Sequence, residues 1–338
     1  MKSVPVKNAV GMTLCHDVTR IVPDLFKGPA FKKGHIIRKE DILTLLDIGK
    51  EHIYVASPED GVHEDAAAER IAKAAAGNNL ALSRPCEGKI NFTARSTGLL
   101  KCNAKALERI NTISDVMFAT LHTNRFVTEG EQVAGTRIIP LTIHESGLRQ
   151  VEKVCRESFP IVEVLPLSHH KVGLVTTGSE IFKGSIKDAF GPVLKQKFEE
   201  LGSCVTRQIL VSDEIDRTVT AIHDLIAEGS DMIAVTGGMS VDPDDRTPAS
   251  IRAAGGRIVT YGAPVLPGAM FMLAYIGNVP VIGLPGCVMY YRASIFDLVV
   301  PRLLAGDSVT ASDIAAMGHG GFCGNCSECR FPSCSFGK

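Results

Sequence analysis

Between Lys171 and Leu304 short apolar runs alternate with amphipathic stretches of ten or more residues, and this alternation constrains the fold more than any other feature of the chain. The runs 172–176, 204–211, 231–235, 257–261 and 279–283 have the length and the β-branched content of strands. Periodicity predicts helices near 187–201, over 215–229 with Ile222, Leu225 and Ile226 facing inward, over 247–254 and over 289–304. Strands joined through helices need right-handed crossovers, so the expected class is α/β with a doubly wound, mainly parallel sheet. Ligands of such sheets bind where loops leave the carboxyl ends of the strands. The loops 176–184, 236–245 and 284–287 are therefore expected along one crevice.

The first half of the chain carries a weaker pattern. Residues 1–60 hold short strand-like runs, a turn at Lys32–Gly34 and a helix around Asp41–Leu46 that leads into Ile53–Val55. A Pro-Glu-Asp-Gly turn at 58–61 marks a boundary. Beyond it an alanine-rich helix, 66–76, opens a region that mixes helix and strand. The expected organisation is a small N-terminal region over 1–60, a mixed α+β middle domain over 61–168, the α/β domain over 169–306, and a linker with a cysteine-rich tail over 307–338.

Charge removes several function classes. The 36 basic residues meet 37 acidic ones, with no basic stripe, which argues against nucleic acid as a partner. Apolar stretches such as 269–276 are too short to span a membrane, and MKSVPVKNAVGM lacks a signal-peptide core. Six cysteines scattered singly suit a reducing compartment, so a cytoplasmic location is expected.

The crevice loops combine two chemistries. Gly237 and Gly238, with Thr177-Gly178-Ser179 and Pro267-Gly268 nearby, suit a cradle of backbone amides for a phosphate. No loop has the Walker A or G-x-G-x-x-G pattern. Glu180, Asp213, Asp242, Asp244 and Asp245 fall at the same edge. Carboxylates beside a phosphate make sense if Mg²⁺ lies between them, and acids also hydrogen-bond donor-rich rings such as a pterin. An organic phosphate that brings a metal satisfies both. Asp242 by itself reads as a turn residue, and Asp245 could equally cap the next helix.

TTGSE at 176–180, VSDE at 211–214, TGGMSVDPDD at 236–245, PVLPGAM at 264–270 and GLPG at 283–286 stand in an order that resembles the gephyrin-type molybdenum insertases, the molybdopterin molybdenumtransferases. The resemblance covers about 170–306 well and 1–56 loosely. It implies binding of molybdopterin, a phosphorylated pterin dithiolene, and Mg²⁺-dependent insertion of molybdate into its adenylylated form. Glu180, Asp213 and Asp245 are the implied catalytic acids. Thr236, Gly237, Gly238, Met239 and Ser240 form the implied phosphate cradle, joined in the crevice by Thr177, Gly178, Ser179, Pro267, Gly268, Pro285 and Gly286. A homo-oligomer and other molybdenum-cofactor proteins are the expected partners. The chain departs from the family where Asp242 replaces a glycine, where Cys287 replaces the asparagine after GLPG, and where PDLFKGPAFKKG at 23–34 replaces a segment rich in Asn, Ser, Met and Asp. A cysteine tail stands in place of the family's C-terminal β-domain. The intact acids favour insertion; the departures favour a non-catalytic carrier or sensor of the cofactor.

The tail CGNCSECRFPSC spaces Cys323, Cys326, Cys329 and Cys334 as C-x2-C-x2-C-x4-C. Bacterial ferredoxins use C-x2-C-x2-C-x3-C-P, so a [4Fe-4S] cluster is the first expectation. Zn²⁺, which prefers two C-x2-C pairs further apart, is the second, and a tail that binds nothing stable is the third. With Phe322 and Phe331 as its apolar anchors and Gly318, Gly320 and Gly321 before it, the tail is expected to be separable from the α/β core. Cys287 could contact a crevice ligand or serve as a buried apolar residue.

Overall fold

Side chains that alternate between two apolar faces build a six-stranded sheet in the second half of the chain. In a computed structural model, which describes residues 2–22, 26–55 and 61–338, its strands are β1 (Lys171–Thr177), β2 (Cys204–Val211), β3 (Met232–Thr236), β4 (Arg257–Tyr261), β5 (Met272–Ile276) and β6 (Val279–Leu284). Their spatial order is β2-β1-β3-β6-β5-β4. The first four in that order run parallel, and β5 lies antiparallel between β6 and β4. The helices are α1 (Ser179–Phe182), α2 (Phe190–Glu200), α3 (Ile215–Ala227), α4 (Thr247–Ala253), α5 (Cys287–Tyr290), α6 (Ile295–Leu304) and α7 (Ala311–Ala316).

The sheet is covered on both faces, as expected of a doubly wound fold. Met232 and Ala234 of β3 face a core containing Leu194 and Phe198 of α2 and Phe296, Val299 and Val300 of α6. Ile233 and Val235, one residue out of phase, face Ala221, Ile222 and Leu225 of α3 and Ile251 of α4. Both faces are buried, so β3 reads as a continuous apolar run.

Two features differ from the expected elements. Strand β5 was not foreseen; Gly277-Asn278 makes a two-residue hairpin turn, with Ile276 opposite Val279 and Gly277 at φ +57°. The helix expected over 289–304 is two helices. Ser294 caps α6, its hydroxyl accepting from the Phe296 amide while Asp297 accepts from the Ser294 amide at 2.8 Å, so the chain at 291–294 leaves the helix. Lys197 Nζ, 2.8 Å from Asp297 Oδ1, ties α2 to the start of α6.

Chain contacts divide the protein into two units. One comprises residues up to Arg95 with Cys102–Leu121 and Gly130–Glu163; the other comprises Ser96–Lys101, His122–Glu129 and Val164–Lys338. In the first unit, Lys2–Pro5 pairs with His52–Val55, and the helix Asp41–Asp47 helps close a small core around Val6, Leu14, Ile37, Leu45 and Ile53. A four-stranded antiparallel sheet follows, in the order Leu80–Leu82, Ile90–Ala94, Gln132–Ile138, Val116–Thr120. The helices Glu64–Ala75, Ala104–Asn111 and Glu145–Glu157 accompany it. Apart from Gly61, the boundary turn expected at 58–61 lies outside the described residues.

The tail is not separable from the α/β unit. Leu266 N–H donates to the Gly321 carbonyl and Cys323 N–H to the Leu266 carbonyl, both at 2.8 Å, and Gly337 N–H donates to the Gly320 carbonyl at 3.0 Å. Phe336, 3% exposed, joins the core cluster that contains Phe198 and Phe296, and Phe331 meets it edge-on with ring centroids 6.0 Å apart. Phe322, counted as an anchor from sequence, is 73% exposed instead. Phe331, the other expected anchor, packs against that core, and Phe336, passed over in the sequence, is buried within it.

Candidate functional site

Parallel strands end together, and here the ends of β1, β3 and β6 are built from close backbone approaches. Gly237 takes φ +85° at the end of β3, where a Cβ would strike the Thr177 carbonyl, so the Gly-Gly loop presses onto the end of β1. Gly238 follows at φ +55°, with Thr247 Oγ1 and Thr177 Oγ1 beside it. Thr247 then locks the loop: its hydroxyl donates to the Gly237 carbonyl at 2.7 Å and its amide to the Gly238 carbonyl at 3.1 Å. At Gly268, φ +138°, a Cβ would collide with Ile295, which brings the loop between β4 and β5 against the start of α6.

These loops enclose a cavity of about 690 Å³. From the expected set it is lined by Gly237, Gly238, Met239, Ser240, Asp245, Pro267, Gly268, Pro285 and Gly286. Thr177, Gly178, Ser179, Thr236, Glu180 and Asp213 are not in its wall. Thr177 and Thr236 are buried beneath the loop, and the Thr236 hydroxyl has no hydrogen-bond partner among the described residues. Asp213 accepts from the Ser179 amide at 2.8 Å, which fixes the turn into α1, and Glu180 on that helix is exposed.

Asp245 is half-buried and has two places in the site. Its carboxylate accepts from the Asp242 amide at 2.9 Å, and its own amide donates to the Asp242 carbonyl at 2.9 Å, so it closes the turn that carries Pro243 and Asp244. It also lines the cavity. Asp242 and Asp244 are exposed. A cation here would therefore meet one protein carboxylate, which suits a Mg²⁺ held mainly by ligand phosphates and water. Among the described residues no three His, Cys, Asp or Glu side chains are gathered around a point that could hold a single metal ion.

Sequence reasoning missed a large part of the wall. Phe190, Tyr291, Leu266, Ala269 and Met270 line it, as do Phe322, Cys323 and Asn325 of the tail. Leu266, Ala269 and Met270 lie inside the quoted PVLPGAM segment and could have been included. Nothing in the sequence brings 322–325 to this edge. Cys287 also lines the cavity. Burial pushes its thiol up, which disfavours the thiolate and leaves it a weakly polar lining group.

Similarity to known proteins falls on the same segment. Residues 173–305 match the family described as "Probable molybdopterin binding domain", and residues 3–57 match a family described as a domain of unknown function. A CinA-like protein of Mycobacterium sp. (strain MCS) is 31% identical over 87 residues, 26% of this chain and 21% of that protein. A molybdopterin molybdenumtransferase of Staphylococcus aureus (strain COL) is 24% identical over 136 residues, 38% of this chain and 32% of the other. The chain thus spans a fifth to a third of the length of these curated relatives. Among solved structures, the molybdopterin biosynthesis enzyme MoaB from Thermus thermophilus aligns with 41% of this chain and 98% of its own at 20% identity and a TM-score of 0.34. MoaB from Pyrococcus furiosus, a tungsten cofactor synthesizing protein, aligns with 41% and 96% at 20% identity and 0.33. The fold assignment rests on the sheet itself. Over residues 173–305, then, the chain is similar to the family described as "Probable molybdopterin binding domain".

Proposed function

We propose that the α/β unit binds molybdopterin in the cavity beneath the Gly237–Ser240 loop, and that the protein acts in molybdenum cofactor biosynthesis by inserting molybdate into adenylylated molybdopterin. The observation that carries this reading is the convergence of three small-residue loops on one cavity, with Asp245 in its wall. The amides of Gly237–Ser240 would take the phosphate, and the apolar wall of Phe190, Met239 and Tyr291 would take the ring system. Mg²⁺, when bound, would neutralise phosphate charge beside Asp245. In this reading pterin binding belongs to residues 169–306 with Phe322, Cys323 and Asn325 of the tail, the cysteines of 307–338 hold a [4Fe-4S] cluster or Zn²⁺, and the protein is a cytoplasmic homo-oligomer.

A second reading, a carrier or sensor without insertion chemistry, is favoured by one observation: Asp213 and Asp245 both hold backbone amides, and Glu180 and Asp213 lie outside the cavity wall. Asp245→Asn separates the two. An asparagine oxygen still accepts the Asp242 amide, so the turn survives and only the charge is lost. In insertion assays with adenylylated molybdopterin, molybdate and Mg²⁺, the variant should lose about a hundredfold or more in turnover. Its molybdopterin affinity should stay near that of the parent. Equal loss of both would mark Asp245 as a binding or turn residue, and a wild type that binds the pterin without turnover would establish the carrier.

A further inference from the structure

A second cavity, of about 290 Å³, adjoins the first, and all four tail cysteines line it. We propose that Cys323, Cys326, Cys329 and Cys334 hold an iron–sulfur cluster in this second cavity, and that the cluster forms one wall of the pterin cavity, so that each occupant strengthens binding of the other. The coupling part rests on the first cavity being the pterin site.

Four thiols lining one cavity suit the outer corners of a cluster. A lone zinc ion draws each sulfur to about 2.3 Å, so its ligands must crowd together. As placed, the four cysteines are spread around a cavity wall instead. A cubane carries its own bridging sulfides and takes thiolates at its outer corners, where they stand further apart. Two-residue gaps between the first three cysteines suit adjacent corners, and the turn closed by the Ser333 amide on the Arg330 carbonyl, at 2.7 Å, brings Cys334 round to the fourth. The cavity has the volume of about ten waters, enough for the eight atoms of a four-iron, four-sulfide core. Arg292 and Arg330 line it as well, and cationic side chains stabilise thiolates. Phe331 and Phe336 supply an apolar side. A preformed cluster delivered with thiolate ligands binds by ligand exchange: each cysteine S–Fe bond replaces an Fe–S bond to a carrier thiolate, which leaves as the thiol with the cysteine's proton, and no electron moves.

The two cavities share Tyr291, Cys323 and Asn325. Cys323 is also fixed from the pterin side, because its amide donates to the carbonyl of Leu266, which lines the first cavity next to Pro267 and Gly268. A cluster that pulls Cys323 into its coordination sphere therefore positions Leu266 and Asn325 against the pterin. Coupling between the sites is reciprocal, so bound pterin should in turn protect the cluster.

The test uses the full chain prepared anaerobically from a host that makes iron–sulfur clusters. The wild type should contain about four iron and four sulfide per chain and should absorb in the visible. Cys326→Ser and Cys329→Ser, which line the second cavity and not the first, should lose both iron and absorbance. Molybdopterin should bind the loaded wild type about tenfold or more tighter than the chelator-stripped protein or either variant, a difference of about 1.4 kcal/mol. Saturating molybdopterin should slow removal of iron by chelator. Iron-free wild type, or stoichiometric zinc in its place, overturns the cluster. Equal affinity of loaded and stripped protein for molybdopterin overturns the coupling. No binding of molybdopterin in either state would sink the proposed function and the coupling with it, while iron content would still decide the cluster.

Discussion

Gly286 offers a test of the pterin cavity that leaves the scaffold untouched. Most glycines around the cavity cannot be changed cleanly: a side chain at Gly237 would strike the Thr177 backbone and one at Gly268 would strike Ile295. Gly286 has φ −55° and ψ −27°, a conformation open to any residue, and a Cβ there would meet only Phe190 Cζ at 3.9 Å. Both Gly286 and Phe190 line the cavity. Gly286→Leu therefore adds four carbons at the cavity wall at little structural cost, within about 0.5 kcal/mol of the parent in unfolding free energy. Those four carbons exclude about as many ligand atoms. At about 0.3 kcal/mol for each atom of a drug-sized ligand, the loss is about 1.2 kcal/mol, or roughly eightfold in Kd. Anaerobic titration of molybdopterin into the parent and variant, with denaturant unfolding of both, reads the two quantities. A stable variant with unchanged affinity would refute the placement of the pterin, whatever the Gly-rich loop binds.

Two further outcomes follow from contacts elsewhere. Phe336→Ala should destabilise the full chain by about 3 kcal/mol in denaturant unfolding, because Phe336 is buried in the core of the α/β unit; a loss below about 0.5 kcal/mol would mean that the tail docks without contributing to that core. In the first unit, hydrogen bonds from Arg70 and then Arg149 push the Glu145 carboxyl down to about 2. A depressed carboxyl stabilises the fold above its unfolded pKa of about 4.3, and this contribution fades as pH falls from there toward about 2. Arg70→Ala should move the Glu145 midpoint up toward the ordinary range in a carboxyl-resolved NMR titration, and an unmoved midpoint would show that the pair is not formed in solution.

The parallel core was legible because β1, β3 and β6 are buried on both faces and are therefore mostly apolar, with buried threonines only at the ends of β1 and β3. Strand β5 carries the same composition, yet its only distinguishing signal is the Gly277-Asn278 turn, a two-residue cue that the surrounding apolar run obscures. The break before α6 was written in the sequence as Ser294 and Asp297, three apart, a capping pattern that helical periodicity over 289–304 overrides when read alone. The cavity divides along the same line. Loops that leave strand ends can be placed from topology, which is why Gly237–Ser240, Pro267 and Gly286 were found. Phe190 reaches the cavity from the start of α2 and Tyr291 from the end of α5, and Phe322, Cys323 and Asn325 reach it through a chain reversal fixed by Phe336. Their positions depend on tertiary packing, for which a local pattern has no marker. The acids show a further limit, since position at the sheet edge does not say which way a side chain is engaged.

That engagement explains how one loop can carry bare amides and acids together. A carboxylate about 4 Å from a phosphate charge at an effective dielectric near 20 opposes it by about 4 kcal/mol. Three such groups would defeat the cradle, since each charge-assisted amide bond returns only about 1.5–3 kcal/mol. Asp213 turns away to hold the Ser179 amide, Glu180 stands exposed outside the cavity wall, and only Asp245 remains in that wall. Its charge is already shared with the Asp242 amide, and two or three amides from Gly237–Ser240 are enough to outweigh what is left. The acid that stays is the one that also closes the turn at 242–245, directly after the amides that Thr247 holds in place. Removing that charge without removing its hydrogen bond is therefore the change that separates the chemistry of the site from its construction.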